Sequence, residues 1–452
     1  MSNNSLEQQT ATFSQVESRL NHPDRATRLD HLRAIVAANE LGIGDGEPSP
    51  EVNNHVHTSF SFSPYSPSAA AFLARYAGLQ AVGSVDHDSI GAAEEMVEAC
   101  RILGMGSTVG YELRVNFTGT AVEGRKLNNP DSYNIGYIVI HGVPAPSVPA
   151  VARFLEPIRD QRNRRNRVQV DRLNEILTAA DVEPLDFERD VVPRSQLTHG
   201  GSITERHILA ALSDRLLTTA GDHSLPGWLA DRFNVVVPEK IAVLIDDQNN
   251  PHRLYDLLGV LKSGFLPRFF VQPDEAECIP VAEAVAFARS VGAIPCYSYL
   301  GDVTDSPTGD KKAEQFEDAF LDELIDEVVR LGFQGLTYMP PRNSREQLLR
   351  VIDLCRRHGL MEISGVDINS SRQVFTCPEI MLPEFQHLLG TTWALIAHEK
   401  LSSSDPKLGL FHPDNPWSAL TLEERLSTYS RFGADLDPFN PVGTTTIAGS
   451  TS

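Results

Sequence analysis

The sequence is short of several things, and each shortage closes off a class of function. Basic residues are outnumbered: 39 Lys and Arg against 60 Asp and Glu leave a formal charge of −21. Tracking a phosphate backbone needs a positive stripe, so nucleic acid is an unlikely partner beyond what a small local basic pocket could hold. The five cysteines (Cys100, Cys278, Cys296, Cys355 and Cys377) are scattered and include no C-x-x-C pair. That argues against a disulfide framework or a thiolate zinc site and fits a reducing compartment. No apolar run approaches the ~18 residues needed to cross a bilayer. The polar start MSNNSLEQQT lacks the apolar core of a secretory leader, so cytoplasmic residence without membrane contact is expected. There is no internal repeat. What remains is an ordinary globular composition, 41% hydrophobic and 22% charged over 452 residues, long enough for one large α/β domain with insertions or for two domains.

Hydrophobic periodicity divides the chain. Residues 12–40 read as helix, with Leu20, Leu29, Leu32, Ile35 and Val36 at helical spacing, before a turn-rich linker at 42–51. From 52 to 143 the spacing predicts a strand into His57, a helix over 67–76 and a strand ending at Asp86. A helix over about 91–103 follows, then strands over 108–116 and 135–141. Such alternation implies parallel pairing. The pattern breaks at VPAPSVPA (143–150). Residues 144–275 read as a mostly helical insertion covering one end of the sheet, with helices over 151–180, 204–217 and 253–262. Alternation resumes with a helix at 281–290, a strand at 293–300, a helix at 313–331, a strand at 335–339, a helix at 344–358 and a strand into Asp367. Helices within 380–400 and 421–431 and a disordered tail complete the chain. The predicted units are a helical extension and linker (1–51), two barrel segments (52–143 and 276–376) flanking the insertion (144–275), and C-terminal helices with the tail (377–452).

The strand ends carry the chemistry. They read NNHVHTSF (53–60), GSVDHDSIG (83–91), GYELRV (110–115), YIVIHG (137–142) and ISGVDINS (363–370). Each apolar run stops at a group able to bind a metal: His55 and His57, His87, Glu112, His141, Asp367. His55 and His57, two apart on a strand, leave the same face. Taken alone they read as surface histidines of an edge strand, and His141 alone as a satisfied core histidine. Asp88 or Ser89 is a natural cap for the following helix. Glu112 sits in an apolar stretch, where an unpartnered carboxylate costs several kcal/mol. A cation is the simplest compensation, although Arg114 alternates onto the same face and could pair with it. The set as a whole points to one polar site at the end of a barrel-like sheet. The arginines of RDQRNRRNRVQVDR (159–172) spread around a helix and read as a solvated surface.

These clusters, in this order, resemble the PHP (polymerase and histidinol phosphatase) superfamily of metal-dependent phosphoesterases. Its pattern is an H-x-H strand, a D-H-D turn, a Glu strand, a His strand, an A-H-P strand end and a final D-x-H. The resemblance spans roughly 52–143 and 290–376. It implies an α/β fold, a distorted seven-stranded β/α (TIM-like) barrel with a helical insertion. It also implies up to three metal ions and hydrolysis of phosphate esters. Three positions depart from the pattern: Phe62 stands where an Asp follows H-x-H, Tyr299 on the His of A-H-P, and Asn369 on the His of D-x-H. Carried over residue by residue, the first metal takes His55, His57, Glu112 and Asp367. The second takes Glu112 and His141, with Tyr299 or Asp302 as substitutes. The third keeps His87, with Asn369 a poor replacement. One complete site is expected, a second that needs a substitute ligand, and a third that is weak or absent.

The expected function is therefore a metal-dependent phosphoesterase acting on a small phosphorylated substrate. The mixed N/O donor set suits Zn²⁺, Mn²⁺ or Fe. A water activated by the cation would attack phosphorus while a second ion steadied the leaving oxygen. His87 would move the proton and Asp86 would orient it. Lys311, Lys312, Arg342 and Arg372 would grip phosphate oxygens, and His207, in TERHILAAL, would face the pocket. Two alternatives stand beside this: a degenerate barrel that binds metal or ligand without turnover, suggested by the three substituted ligands, and a PHP-type nuclease, disfavoured by the charge. Substrate identity and oligomeric state are open.

Overall fold

The computed structural model describes residues 13–43, 49–129, 132–221, 223–302 and 316–435. At its centre is a seven-stranded sheet in which each strand lies beside the next in sequence. The strands are β1 (Val52–Val56), β2 (Ala81–His87), β3 (Gly106–Asn116), β4 (Ile135–His141), β5 (Ile294–Tyr299), β6 (Gly335–Tyr338) and β7 (Met361–Ser364). Just past β7, the Ile368 N–H donates to the His55 carbonyl at 3.2 Å and its carbonyl accepts from the His57 N–H at 3.0 Å. These bonds bring the last strand round to the first and make a nearly closed, barrel-like sheet. Closure is tight at Gly365, where a Cβ would stand 2.5 Å from the His55 Cβ and 2.6 Å from its nitrogen.

Pairing is parallel except at β4, which runs antiparallel to both β3 and β5. The expectation of parallel pairing throughout is corrected here. A parallel return needs a crossover of a dozen or more residues, usually a helix. The link from β3 to β4 has no helix among its described residues and turns at Gly119, Gly124 and Asn134, all with positive φ.

The helices follow in order. The N-terminal pair is α1 (13–20) and α2 (Arg25–Ala37). The single helix expected over 12–40 divides because Asp24 accepts from the Thr27 N–H at 2.8 Å and so starts a new helix just after Pro23. α3 (Pro67–Tyr76) and α4 (Ala93–Leu103) link β1 to β2 and β2 to β3. Between β4 and β5 lie α5 (Val148–Ala179), α6 (Glu205–Ala220), α7 (Leu225–Phe233), α8 (Glu239–Asp246), α9 (Arg253–Gly264) and α10 (Val281–Ser290). The short α7 and α8 were not expected, since little more than two turns carry too little periodicity to read. α11 (Leu321–Leu331) and α12 (Arg345–His358) serve β5–β6 and β6–β7. α12 is bounded by a Ser344–Gln347 capping box and by Gly359 at φ 66. α13 (His387–Ser404) and α14 (Leu422–Asp435) close the described chain.

Two of the cores explain the layout. Leu173, Leu177, Leu209, Leu216, Leu257, Phe265 and their neighbours bury one another within α5–α9, which thus carry a hydrophobic core of their own. Beneath the sheet, Leu395, Ala397 and Leu401 of α13 pack on Ile294, Cys296, Met361 and Ile363 near the starts of β5 and β7. α13 thereby plugs the floor, and the ends of β1 and β2, where His55, His57 and His87 stand, open on the opposite side. All five cysteines are buried and unpaired. Among the described residues no helix is long and apolar enough to cross a membrane.

Candidate metal centre

His55 stands on β1 and His57 just past its end, and His87 at the end of β2 lies directly opposite Glu112 of β3 in the parallel register. Asp367 follows β7. Their donor atoms form two overlapping groups, His55–His57–Asp367 and His57–His87–Glu112, each with all atoms within 4.8 Å of one another. His57 Nε2 stands 3.6 Å from Glu112 Oε2 and 3.4 Å from Asp367 Oδ1. His55 Nε2 is 4.0 Å and His87 Nδ1 3.0 Å from that same Glu112 oxygen. The His57 and His87 rings stack at 4.5 Å.

The hydrogen bonds around His57 determine which nitrogen holds its proton. Ser61 Oγ donates to Asp86 Oδ1 at 2.6 Å, so towards His57 Nδ1, 3.4 Å away, it can only accept. Nδ1 then carries the hydrogen, and the Nε2 lone pair faces two carboxylate oxygens. Burial pushes His57 down to about 3, with repulsion from His87 adding to the shift, so the ring is neutral. Burial works to raise the Glu112 and Asp367 carboxyls, but the neighbouring imidazoles, led by His87 for Glu112 and by His57 for Asp367, hold both below the usual carboxylate range. Lone pairs from imidazole and two carboxylates thus converge with no proton between them. This donor set suits a divalent cation.

His141 is a second sign of the same fit. Because β4 is antiparallel, its C-terminal end lies towards the floor, so His141 approaches the cluster from below rather than at the mouth. The neighbouring Gly110 lets β4 approach closely here: a Cβ there would stand 2.5 Å from the Ile140 carbonyl oxygen. Burial, then the nearby His55 ring, pushes His141 down to about 3. Its Nε2 is buried and meets no hydrogen-bond partner among the described residues, an expensive arrangement for a polar nitrogen.

Other predicted residues fall in different places. Asp86 faces away from its neighbour His87, because successive strand residues alternate. It accepts from the Thr58 N–H at 2.7 Å, Thr58 Oγ1 at 2.6 Å and Ser61 Oγ, holding the turn behind His57. Of the two imidazoles, then, Asp86 supports His57. Tyr299 donates its hydroxyl to Asp318 at 2.6 Å, and Asp302 accepts from the Phe316 N–H at 2.8 Å, so both polar groups are engaged away from the histidines. Asn369 donates from Nδ2 to Asp367 Oδ1 at 2.6 Å and accepts from Arg206. Arg372 pairs with Asp256, its Nη2 2.7 Å from Oδ2. His207 sits in the capping box of α6, its Nδ1 accepting from the Thr204 N–H at 3.0 Å, and burial pushes it down to about 3. Phe62 packs edge-on to the His207 ring at 5.0 Å. Lys311 and Lys312 lie outside the described residues.

Two readings of the arginines are corrected. Arg114 does not pair with Glu112; it pairs with Glu277. Within the basic run, Arg159, Arg162 and Arg165 are three apart, share a face of α5 and are buried. Arg162 meets Asp88 at 2.5 Å and Glu205 at 2.8 Å, and Arg165 meets Glu205 and Glu277 at 2.5 Å. Their acidic partners lie far away in sequence, which is why the run reads as solvated when taken alone.

An open cavity of about 180 Å³ adjoins the cluster, lined by His55, His87, Glu112, Asp367 and Asn369 together with Tyr137, Arg206, Lys262, Tyr299 and Arg342. Arg342 is the predicted phosphate-gripping residue that this cavity includes. Arg206 and Lys262, both from the helices between β4 and β5, escaped the sequence reading. For Arg206 a signal exists: the T-x-x-H spacing of Thr204 and His207 marks a capping box, which occupies His207 and leaves its neighbour to face the cavity.

No family model matches the chain, and no curated protein does. Solved structures resemble it at low identity. A candidate metal-dependent phosphoesterase from Bifidobacterium adolescentis has 19% identity and a TM-score of 0.47, covering 74% of this chain and 96% of its own. An amidohydrolase from Chromobacterium violaceum, solved with sulfate and no metal, has 17% identity and the same TM-score, covering 72% of this chain and 90% of its own.

Proposed function

We propose that this chain is a metal-dependent hydrolase of phosphate esters built on a PHP-type barrel. The observation that carries the reading is the His57 Nε2 lone pair set against the Glu112 and Asp367 carboxylates. His55, His57, Glu112 and Asp367 would hold the cation, and His141, with Glu112, offers a second position below it. A bound divalent cation supplies Lewis acidity and a coordinated water of lowered pKa. His87, whose side chain is 26% exposed, spends Nδ1 on Glu112 and keeps Nε2 to exchange a proton with a substrate oxygen. Arg206, Lys262 and Arg342 bring positive charge to the cavity wall, which favours an anionic phosphate over a neutral amide. The test is phosphate release from p-nitrophenyl phosphate with added Mn²⁺ or Zn²⁺. His57→Ala should lower the rate by on the order of 100-fold or more; equal rates in the two proteins would end this reading.

A further inference from the structure

We propose that Asn369 is a positioning residue through which Arg206 of α6 sets the Asp367 carboxylate for a cation; the inference rests on the metal reading above. A guanidinium can only donate, so the Asn369 side-chain atom facing Arg206 must be the amide oxygen. The amide nitrogen is thereby turned to Asp367, donating to Oδ1 at 2.6 Å. That oxygen is the one 3.4 Å from His57 Nε2. Among the described residues no other hydrogen-bond donor reaches the Asp367 side chain. The Asn369 backbone is fixed as well: its N–H donates to Gln373 Oε1 at 2.6 Å. Nor is Arg206 an isolated contact. The α8–α9 region holds the same loop through His252 Nδ1, 2.8 Å from Ser371 Oγ, and through the Asp256–Arg372 pair. The ligand furthest along the chain is thus aimed by helices inserted between β4 and β5, and a complete cation site requires them to be docked.

Mn²⁺ affinity measured by titration calorimetry tests this without any substrate. Asn369→Leu should weaken binding ~10-fold, the usual scale for a group that orients a ligand. Arg206→Met should also weaken it, although loss of a positive charge would by itself tighten cation binding. Arg206→Lys, which keeps a donor, should retain most of the affinity. The double variant Arg206→Met/Asn369→Leu should bind no worse than Asn369→Leu, because both changes cut one chain of bonds. Parent-like affinity in Asn369→Leu, tighter binding in Arg206→Met, or additive losses would each overturn the proposal. Thermal melts of the same proteins check folding, and Asn369→Ser, too short to span both partners, carries the same expectation should Asn369→Leu not fold. Asp367→Asn is the separate control: if it binds Mn²⁺ as tightly as the parent, the metal reading itself falls.

Discussion

At the scale of single residues, one hydroxyl governs the chemistry of His57. Ser61 spends its proton on Asp86 and so obliges His57 to protonate Nδ1. Ser61→Ala should lower Mn²⁺ affinity ~10-fold and cost only about 1 kcal/mol of stability. Calorimetric titration beside urea unfolding measures both, and unchanged affinity would mean that another group selects the tautomer. Gly365 acts by what it lacks. A methyl group there meets β1 at His55 from 2.5 Å, so Gly365→Ala should destabilise by about 2 kcal/mol or more and spread the seam that carries the ligands. A urea midpoint equal to the parent's would contradict that contact.

At the scale of elements, α5 is two helices in one. Its inner face buries Arg162 and Arg165 against the carboxylates of Asp88 just past β2, Glu205 of α6 and Glu277 before α10, and Arg159 against the Asp88 carbonyl, while its outer face carries Arg164 and Arg167 in solvent. Arg165→Met leaves Glu277 and Glu205 buried with one fewer counter-charge and should cost about 3 kcal/mol or more. Two residues on, Arg167 pairs with Glu188 in the open, their side chains 47% and 63% exposed, and Arg167→Met should cost less than about 1 kcal/mol. Urea unfolding of the two variants decides, and the reverse order would refute the assignment of faces. The strand β4 makes the same point about context. Its sequence is an ordinary apolar strand, and only the helix-free link before it turns it antiparallel and points His141 up from the floor.

At the scale of the molecule, the barrel floor is sensitive to acid. His398 of α13 accepts from the Leu410 N–H at 2.9 Å, and its other nitrogen lies 3.0 Å from the Gly142 carbonyl beyond β4. The neutral ring serves both bonds. Burial pushes it down to about 4 from an ordinary value of 6.5. The unfolded chain therefore takes up the proton first, so stability present above pH 6.5 is lost as pH falls towards 4, on the order of 3 kcal/mol. His398→Gln lacks that dependence, and the stability gap between it and the parent should narrow across this range. Unfolding free energies at pH 7, 5.5 and 4 measure the gap; a constant one would contradict the assignment. The sequence by itself determines which side chains can meet a cation and on which strands they stand. Imidazole and carboxylate chemistry belongs to the residue, and period-two alternation puts His55 and His57 on one face. Tertiary structure alone decides the proton on His57, the partner of Arg114 and the entry of Arg206 into the site. Each depends on groups that meet across long stretches of chain, such as the 163 positions that separate Arg206 from Asn369, and no local period records such a meeting.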